Sequence, residues 1–326
     1  MSMSVSMTAQ PPLGALGPRG GLRDITNTVT DDAVEGAKQA NPNEPGGLPL
    51  KRRSVSRVAS TEPCVPAEED PQQVAEYAPQ IFDYLSRKEK TEDVRIYSGF
   101  MEGSKEVSGR MRGILLDWLI EVHYKFKLLP ETLYLCVNLI DRYLQKEKEI
   151  QKRKLQLMGG TCMLIAAKYE EYRPPEVRDI CYIMDNAYTR EDVLDMEVSV
   201  LNTLKFSLTS ASPLQFLDFF SKGLCHRESE LHYLSQFCLE CGITDPHMNA
   251  YLPSQLACVA LYTSNRIMKP DGPEATLIPG PYDVHLMRQM EDELLKVIAV
   301  QKDKALGKKY AKERYKNVMQ YVRKYE

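Results

Sequence analysis

The sequence predicts an all-α fold, and three observations carry that prediction. From about residue 72 onward, apolar side chains return every three or four residues, as they do on one face of a helix. There is no sustained alternation with a period of two, the mark of a half-buried strand. Helix punctuation sits where the periodic segments begin and end: Thr189 with Asp192 as a capping pair, Ser212-Pro213 as a start, and Pro174-Pro175 as a stop.

Taken in order, the chain opens with a stretch over 1–71 that holds nine of the 20 prolines and almost no aromatic residues. Such a segment buries too little surface to offset its conformational entropy, so a disordered tail is expected. Within it, Arg19, Leu22, Ile25 and Asn27 form a small cluster with an aliphatic pair after glycine-rich sequence, and Lys51-Arg52-Arg53-Ser54 is a short basic run. Over 71–88, Val74, Tyr77, Ile81, Tyr84 and Leu85 fall at helical intervals. They predict a short amphipathic helix, separated from the body by a polar linker, that must dock its apolar face.

The segment 109–122 contains the only tryptophan and serves as the expected organising helix. Met111, Ile114, Leu115, Trp118, Leu119 and Val122 make a broad apolar stripe, and Leu116 and Ile120 make a second edge. Arg112 and Asp117 interrupt the stripe, so they should be paired inside the fold or displayed to a partner. Further helices follow over about 108–128, 131–145, 152–171, a short one from 175, and 189–204. A second series begins at Ser212 and continues over 228–241, 253–267 and 282–300, with a basic terminal helix over 302–324. Two consecutive helical units of similar size result, with expected boundaries of 1–71, 72–106, 107–206 and 207–326.

Composition narrows the function classes. A net charge of -3 and a pI near 6.1 give no global basic field of the kind that holds nucleic acid, so a protein partner is expected. No apolar run is long enough for a membrane span and Met1 to Gln10 lacks the regions of a secretory signal, which points to the cytosol or nucleus. Cys136, Cys162, Cys181, Cys238 and Cys258 sit in apolar helical context, as small hydrophobes in a reducing compartment. The Cys238–Cys241 C-x-x-C stands without a second ligand pair, and Cys225-His226 is a poor one, so no metal or other cofactor is expected. No Gly-rich phosphate loop, H-E-x-x-H or G-x-S-x-G occurs, and His123, His226, His232, His247 and His285 are scattered. An enzyme is the distant third reading.

Met111-Arg-Gly-Ile-Leu-Leu-Asp-Trp118-Leu-Ile-Glu121-Val resembles the opening of the cyclin box. Leu139-Ile-Asp141-Arg-Tyr, Lys154-Leu-Gln-Leu157, Ala166-Ala-Lys168-Tyr-Glu-Glu171 and Pro174-Pro-Glu176 follow in that family's order, strongest over 110–206. The run Lys125-Phe-Lys-Leu-Leu-Pro-Glu-Thr-Leu-Tyr is most similar to the mitotic, B-type members of the A/B group. The resemblance implies two consecutive five-helix cyclin boxes preceded by a docking helix. It also implies a non-catalytic subunit that binds and activates a cyclin-dependent serine/threonine kinase in G2/M control, in nucleus and cytoplasm.

Carried onto matching positions, the resemblance assigns roles. Arg112 and Asp141 would form a buried ion pair bracing the first box, with Leu157 at another signature position. Lys168 and Glu197 would face the kinase, with Tyr169, Glu170 and Glu171 beside them and Tyr77 and Ile81 completing the surface. Met111, Ile114, Leu115, Trp118, Glu121, Leu155 and Gln156 match a patch for R-x-L-like substrate or inhibitor peptides. Asp117 and Glu121 are the expected receivers of the peptide's basic residue, although His123-Tyr124-Lys125 replaces the more acidic run of A-type members. Arg19, Leu22, Ile25 and Asn27 fit the destruction box read by a ubiquitin ligase of the anaphase-promoting complex type. The competing class is a cyclin-fold transcriptional adaptor, whose members lack that motif and tend to have a basic second repeat.

Overall fold

The computed structural model describes residues 75–221, 228–270 and 282–325. Among the described residues it contains twelve α-helices and no strand. A short helix, α1 (Ala78–Lys88), precedes five helices: α2 (Gly109–Phe126), α3 (Pro130–Lys146), α4 (Leu155–Glu170), α5 (Val177–Ile183) and α6 (Arg190–Thr203). A second series follows: α7 (Pro213–Ser221), α8 (Glu230–Thr244), α9 (Pro253–Met268), α10 (Val284–Gln301) and α11 (Ala305–Tyr310), with α12 (Met319–Tyr325) at the end.

Local chemistry sets the boundaries. Thr189 accepts from the Asp192 N–H at 3.1 Å and the Asp192 carboxylate accepts from the Thr189 N–H at 2.8 Å, so the capping pair read from sequence closes on itself. Ser108, Ser229 and Asp283 cap α2, α8 and α10 by accepting backbone N–H groups of the first turn. Proline occupies the first turn of α3 and α9, where its missing N–H costs nothing.

The centre of the first box is α4, not the tryptophan helix. Leu155 and every residue from Leu157 to Ala167 are buried, whereas α2 leaves Ile114, Glu121 and Lys125 exposed. Gly159 makes this enclosure possible, since a Cβ there would lie 2.7 Å from Leu115 Cδ1. A Cβ added at its neighbour Gly160 would lie 3.1 Å from Met184 Sδ. The second box repeats the arrangement around α9, buried along most of its length.

Helix α1 docks on the second box by a face different from the expected one. Phe82, absent from the predicted stripe, stacks on Phe219 at 4.3 Å between ring centroids and meets Phe216 and Phe220 edge-on. Ala78 and Leu85 are buried with it, while Tyr77 and Tyr84 point outward. At the end of α1, the buried Glu89 carboxylate accepts from Ser254 N (2.9 Å) and Ser254 Oγ (2.8 Å), placing a negative charge at the start of α9. Burial raises this carboxyl's pKa against the lowering effect of those hydrogen bonds. The linker is then strapped across the first box by buried Val94, Ile96, Phe100 and Val107, with Gln145 binding Tyr97 N and Arg95 O.

The periodicity predicts one basic helix over 302–324; the structure breaks it into α11, a 3-10 turn at Glu313–Tyr315 and α12. The break falls where Lys316 and Asn317 take left-handed backbone, at φ 53° and 48°. Lys309 is buried rather than solvated. Its Nζ lies 2.7 Å from both oxygens of the buried Glu240, which also accepts from Tyr310 OH at 2.7 Å. These contacts fasten the C-terminal segment between α8 and α2. Six described cysteines are all buried, and burial pushes the Cys238 thiol up to about 12.

His123, on α2 beneath α11, donates from Nε2 to Leu129 O at 2.8 Å and has no partner for its buried Nδ1. Burial, and then the nearby Lys309 charge, pull its pKa from 6.5 down to about 3. Between those values the unfolded chain takes up a proton that the folded chain refuses. The neutral ring's stabilisation is therefore complete above pH 6.5 and is lost as the pH falls toward 3. Its slope approaches about 1.4 kcal/mol per pH unit in that window. Urea midpoints taken from pH 7 to pH 5 should fall less steeply in His123→Asn than in the unaltered chain; equal slopes would contradict this assignment.

Candidate functional site

Lys168 emerges at the end of α4, where the buried run Ala166-Ala167 gives way to solvent. Helix α6 packs against α4 through Val193, Met196 and Val200, and this contact carries Glu197 to the same rim. The two side chains meet, with Lys168 Nζ 2.6 and 2.8 Å from the Glu197 oxygens. Their side chains are 45% and 13% exposed, so the pair sits at the surface and contributes at most about 1 kcal/mol to stability.

The elements that carry this pair, and those joined to them, expose several large apolar side chains. Tyr169, Tyr172, Val198 and Phe206 are exposed, Tyr172 at 81%, and Tyr77 and Tyr84 of α1 are exposed as well. Tyr169 OH lies 2.7 Å from Thr209 Oγ1, and Ser207 Oγ donates to Asp93, which also pairs with Lys88 at 3.0 Å. These contacts join the end of α4, the turn after α6 and the end of α1 into one continuous face. Phe206 is turned outward by two successive left-handed residues, Lys205 and Phe206, at φ 52° and 56°. Apolar periodicity gives no sign of such a turn, which is why Phe206, like the exposed Tyr172 and Val198, is missed at the level of sequence.

Two neighbours have other placements. Glu171 Oε1 accepts from Leu129 N at 2.6 Å and Thr132 Oγ1 at 2.7 Å. Leu129 supplies no side-chain cap of its own, and this carboxylate, expected beside the partner-facing pair, caps α3. Glu170 and Ile81 are half-buried.

The Arg112–Asp141 pair is fully buried, with Nε–Oδ1 and Nη2–Oδ2 both at 2.6 Å. Its reach is wider than the first box. Arg112 also donates to Thr244 O at 2.8 Å and Ile243 O at 2.9 Å, the last carbonyls of α8, and Asn249 donates to Asp141. One guanidinium thus satisfies a carboxylate of one box and a helix terminus of the other.

On the far side of α2 the expected peptide patch is only partly open. Ile114 (64%) and Glu121 are exposed, Met111, Trp118 and Gln156 are half-buried, and Leu115, Leu155 and Leu157 are core. Leu115 is withdrawn because Gly159 leaves room for it. Asp117, an expected receiver of the peptide's basic residue, is half-buried, and its Oδ1 accepts the Ala305 N–H that opens α11, at 3.3 Å. A groove of about 390 Å³ does continue the patch, lined by Trp118, Glu121, Lys125, Tyr182 and Ile183 among others. Arg19, Leu22, Ile25 and Asn27 lie outside the described residues. Among the described residues no group of three or more His, Cys, Asp or Glu is arranged to hold a metal, and no helix is long and apolar enough to cross a membrane.

Comparison with known proteins agrees with this architecture. A family model described as "Cyclin, N-terminal domain" matches residues 80–209, and one described as "Cyclin, C-terminal domain" matches 211–324. The chain is 44% identical to Cyclin-B2-4 of Arabidopsis thaliana over 238 residues, covering 73% of this chain and 53% of that protein. It is 44% identical to G2/mitotic-specific cyclin-B of Spisula solidissima over 201 residues, covering 62% and 46%. To G2/mitotic-specific cyclin-B of Marthasterias glacialis it is 34% identical over 305 residues, covering 87% and 76%. The chain thus spans about half the length of the first two of these relatives. Among solved structures, a viral cyclin from herpesvirus saimiri superposes with a TM-score of 0.56 at 20% identity, over 68% of this chain and 99% of that one. A chain of the yeast RNA Pol II CTD kinase CTDK-1 complex gives 0.51 at 10% identity, over 64% and 74%. Both share the fold.

Proposed function

Because the chain belongs to the cyclin family and is of its A/B type, we propose that it is the regulatory, non-catalytic subunit of a cyclin-dependent serine/threonine kinase. The observation that supports this most is the Lys168–Glu197 pair set in a face of exposed tyrosine, valine and phenylalanine side chains. A surface pair of this kind adds little to the fold, and exposed aromatic residues beside it are of the sort that bury well against another protein.

The mechanism is one of selection. A kinase is active only when its αC helix is rotated inward so that the lysine–glutamate pair forms and the activation loop is open. A rigid helical face that binds only that arrangement shifts the population toward it. Moving a kinase from about 1:99 to 99:1 requires roughly 5.5 kcal/mol of differential affinity, within the reach of a standard interface. Both boxes are tied together through Arg112, so the face does not yield when the kinase helix presses on it. The test is to mix the purified full chain with an isolated cyclin-dependent kinase catalytic subunit and follow phosphorylation of a Ser-Pro peptide. Stimulation of many fold is expected; binding without stimulation would refute the reading.

The groove between Trp118 and Tyr182 is the docking surface for R-x-L-like substrate or inhibitor peptides in this reading, with Glu121 receiving the basic residue. Lys125, whose Nζ lies 5.9 Å from the Tyr182 ring centroid, weakens that attraction relative to an acidic rim. Arg19, Leu22, Ile25 and Asn27 form a destruction box, through which a ubiquitin ligase removes the chain at mitosis. A chain lacking 1–71 should outlive the full chain in mitotic extract, and equal half-lives would exclude that role.

A further inference from the structure

The cations of the C-terminal segment divide into two kinds. Lys309 is buried and neutralised by Glu240. Lys312, Arg314 and Lys316 are exposed, and Lys312 lies against Tyr124 at the end of α2, whose C-cap is the exposed Lys127. Lys312 Nζ stands 3.7 Å from the centroid of the Tyr124 ring. The Lys312 ammonium, and then the charges of Arg314 and Lys127, hold that hydroxyl below the usual tyrosine range. Among the described residues, none of Lys127, Lys312 and Arg314 forms an ion pair with a carboxylate.

Lys312 over the Tyr124 ring, Lys127 at the C-cap of α2 three residues on, and Arg314 in the turn just past Lys312 put three cations without an ion-pair partner in one region, where they repel one another. The backbone nevertheless holds two of them together: Lys312 O accepts both Tyr315 N (2.9 Å) and Asn317 N (3.2 Å), which closes the turn that carries Arg314. A single carboxylate would leave most of this charge unanswered. A phosphoryl group brings about two negative charges and three acceptor oxygens, matching two ammonium groups, a guanidinium fork and a phenolic O–H.

We propose that Tyr124, Lys127, Lys312 and Arg314 form a binding site for the phosphoryl group of a phosphorylated peptide segment. Tyr124 lies three residues, just under one helical turn, beyond Glu121 on α2. This placement rests on the docking reading above and deepens it: a partner would offer a basic residue to Glu121 and a phosphorylated residue further along the same helix. The site thereby selects partners that have already been phosphorylated.

The probe is a fluorescein-labelled Gly-Ser-phosphoserine-Ser-Gly peptide, compared by anisotropy with its unphosphorylated form and with Glu in place of phosphoserine. It carries no basic or apolar anchor, so failure of the groove as a docking surface would leave the result unaffected. With the full chain, the phosphorylated peptide is expected to bind at least about tenfold more tightly than either control. Lys312→Ala with Arg314→Ala should abolish that preference, whereas Lys308→Ala, exposed on the same segment, should leave it intact. Equal binding of the Glu peptide, an unchanged preference in the double variant, or an equal loss in Lys308→Ala would each overturn the proposal. Identical circular dichroism spectra establish that the variants are folded.

Discussion

A chain carrying Lys168→Ala and Glu197→Ala is expected to lose activation of the proposed kinase partner while keeping its helical content and thermal stability. The pair is half-open to solvent in the free chain, so its removal costs the fold about 1 kcal/mol at most. At an interface the same charges would be desolvated. Close charge pairs across interfaces couple by about 1.5–7 kcal/mol, and every 1.4 kcal/mol is tenfold in affinity. The separation between the two effects is the diagnostic: a melting curve within a few degrees of the parent beside an activity lowered by orders of magnitude. The single variants add a second reading, since each leaves one charge without its partner and the two losses should not sum. Full activation by the double variant would remove the face from consideration.

Arg112→Ala should instead destabilise the whole molecule, by about 3–5 kcal/mol. The substitution leaves Asp141 buried with only Asn249, and strands the Ile243 and Thr244 carbonyls at the end of α8. At roughly 2–4 °C per kcal/mol for a domain of this size, the midpoint of thermal unfolding should drop by about 10 °C or more. Arg112→Lys should rescue little, because an ammonium cannot serve both Asp141 oxygens and two carbonyls with one fixed fork. Since this guanidinium joins the boxes, the loss should also split a single unfolding transition into two. A variant that melts within a degree of the parent would show that the bridge is dispensable.

The fold was legible because helices announce themselves locally. The Thr189–Asp192 pair, Ser212-Pro213 and Pro174-Pro175 punctuate the chain within a few residues of where the helices start and stop. The terminal segment misled because Gly307, Lys316 and Asn317 break a pattern that is otherwise helical. Gly307 passes so close to the Lys302 carbonyl that a Cβ would lie 1.6 Å from its oxygen. The candidate face was legible in part. Lys168 and Glu197 stood out as charges against apolar helix, but Phe206 depends on a left-handed pair of residues with no periodic signature. Phe82 was overlooked because the aromatic cluster that receives it lies more than a hundred residues downstream.

From the amino-acid sequence alone came the helical class, the order of the two boxes, the caps and the identity of the charged residues set against apolar stripes. Tertiary structure decided how each of those charges is used: Asp117 at the start of α11, Glu171 at the start of α3, Lys309 on Glu240, and Arg112 across both boxes. The reason is physical. Periodicity says which side chains share a face of a helix, whereas what covers that face is settled by elements far away in the chain, and a charge left facing solvent is known only once every such element has found its place.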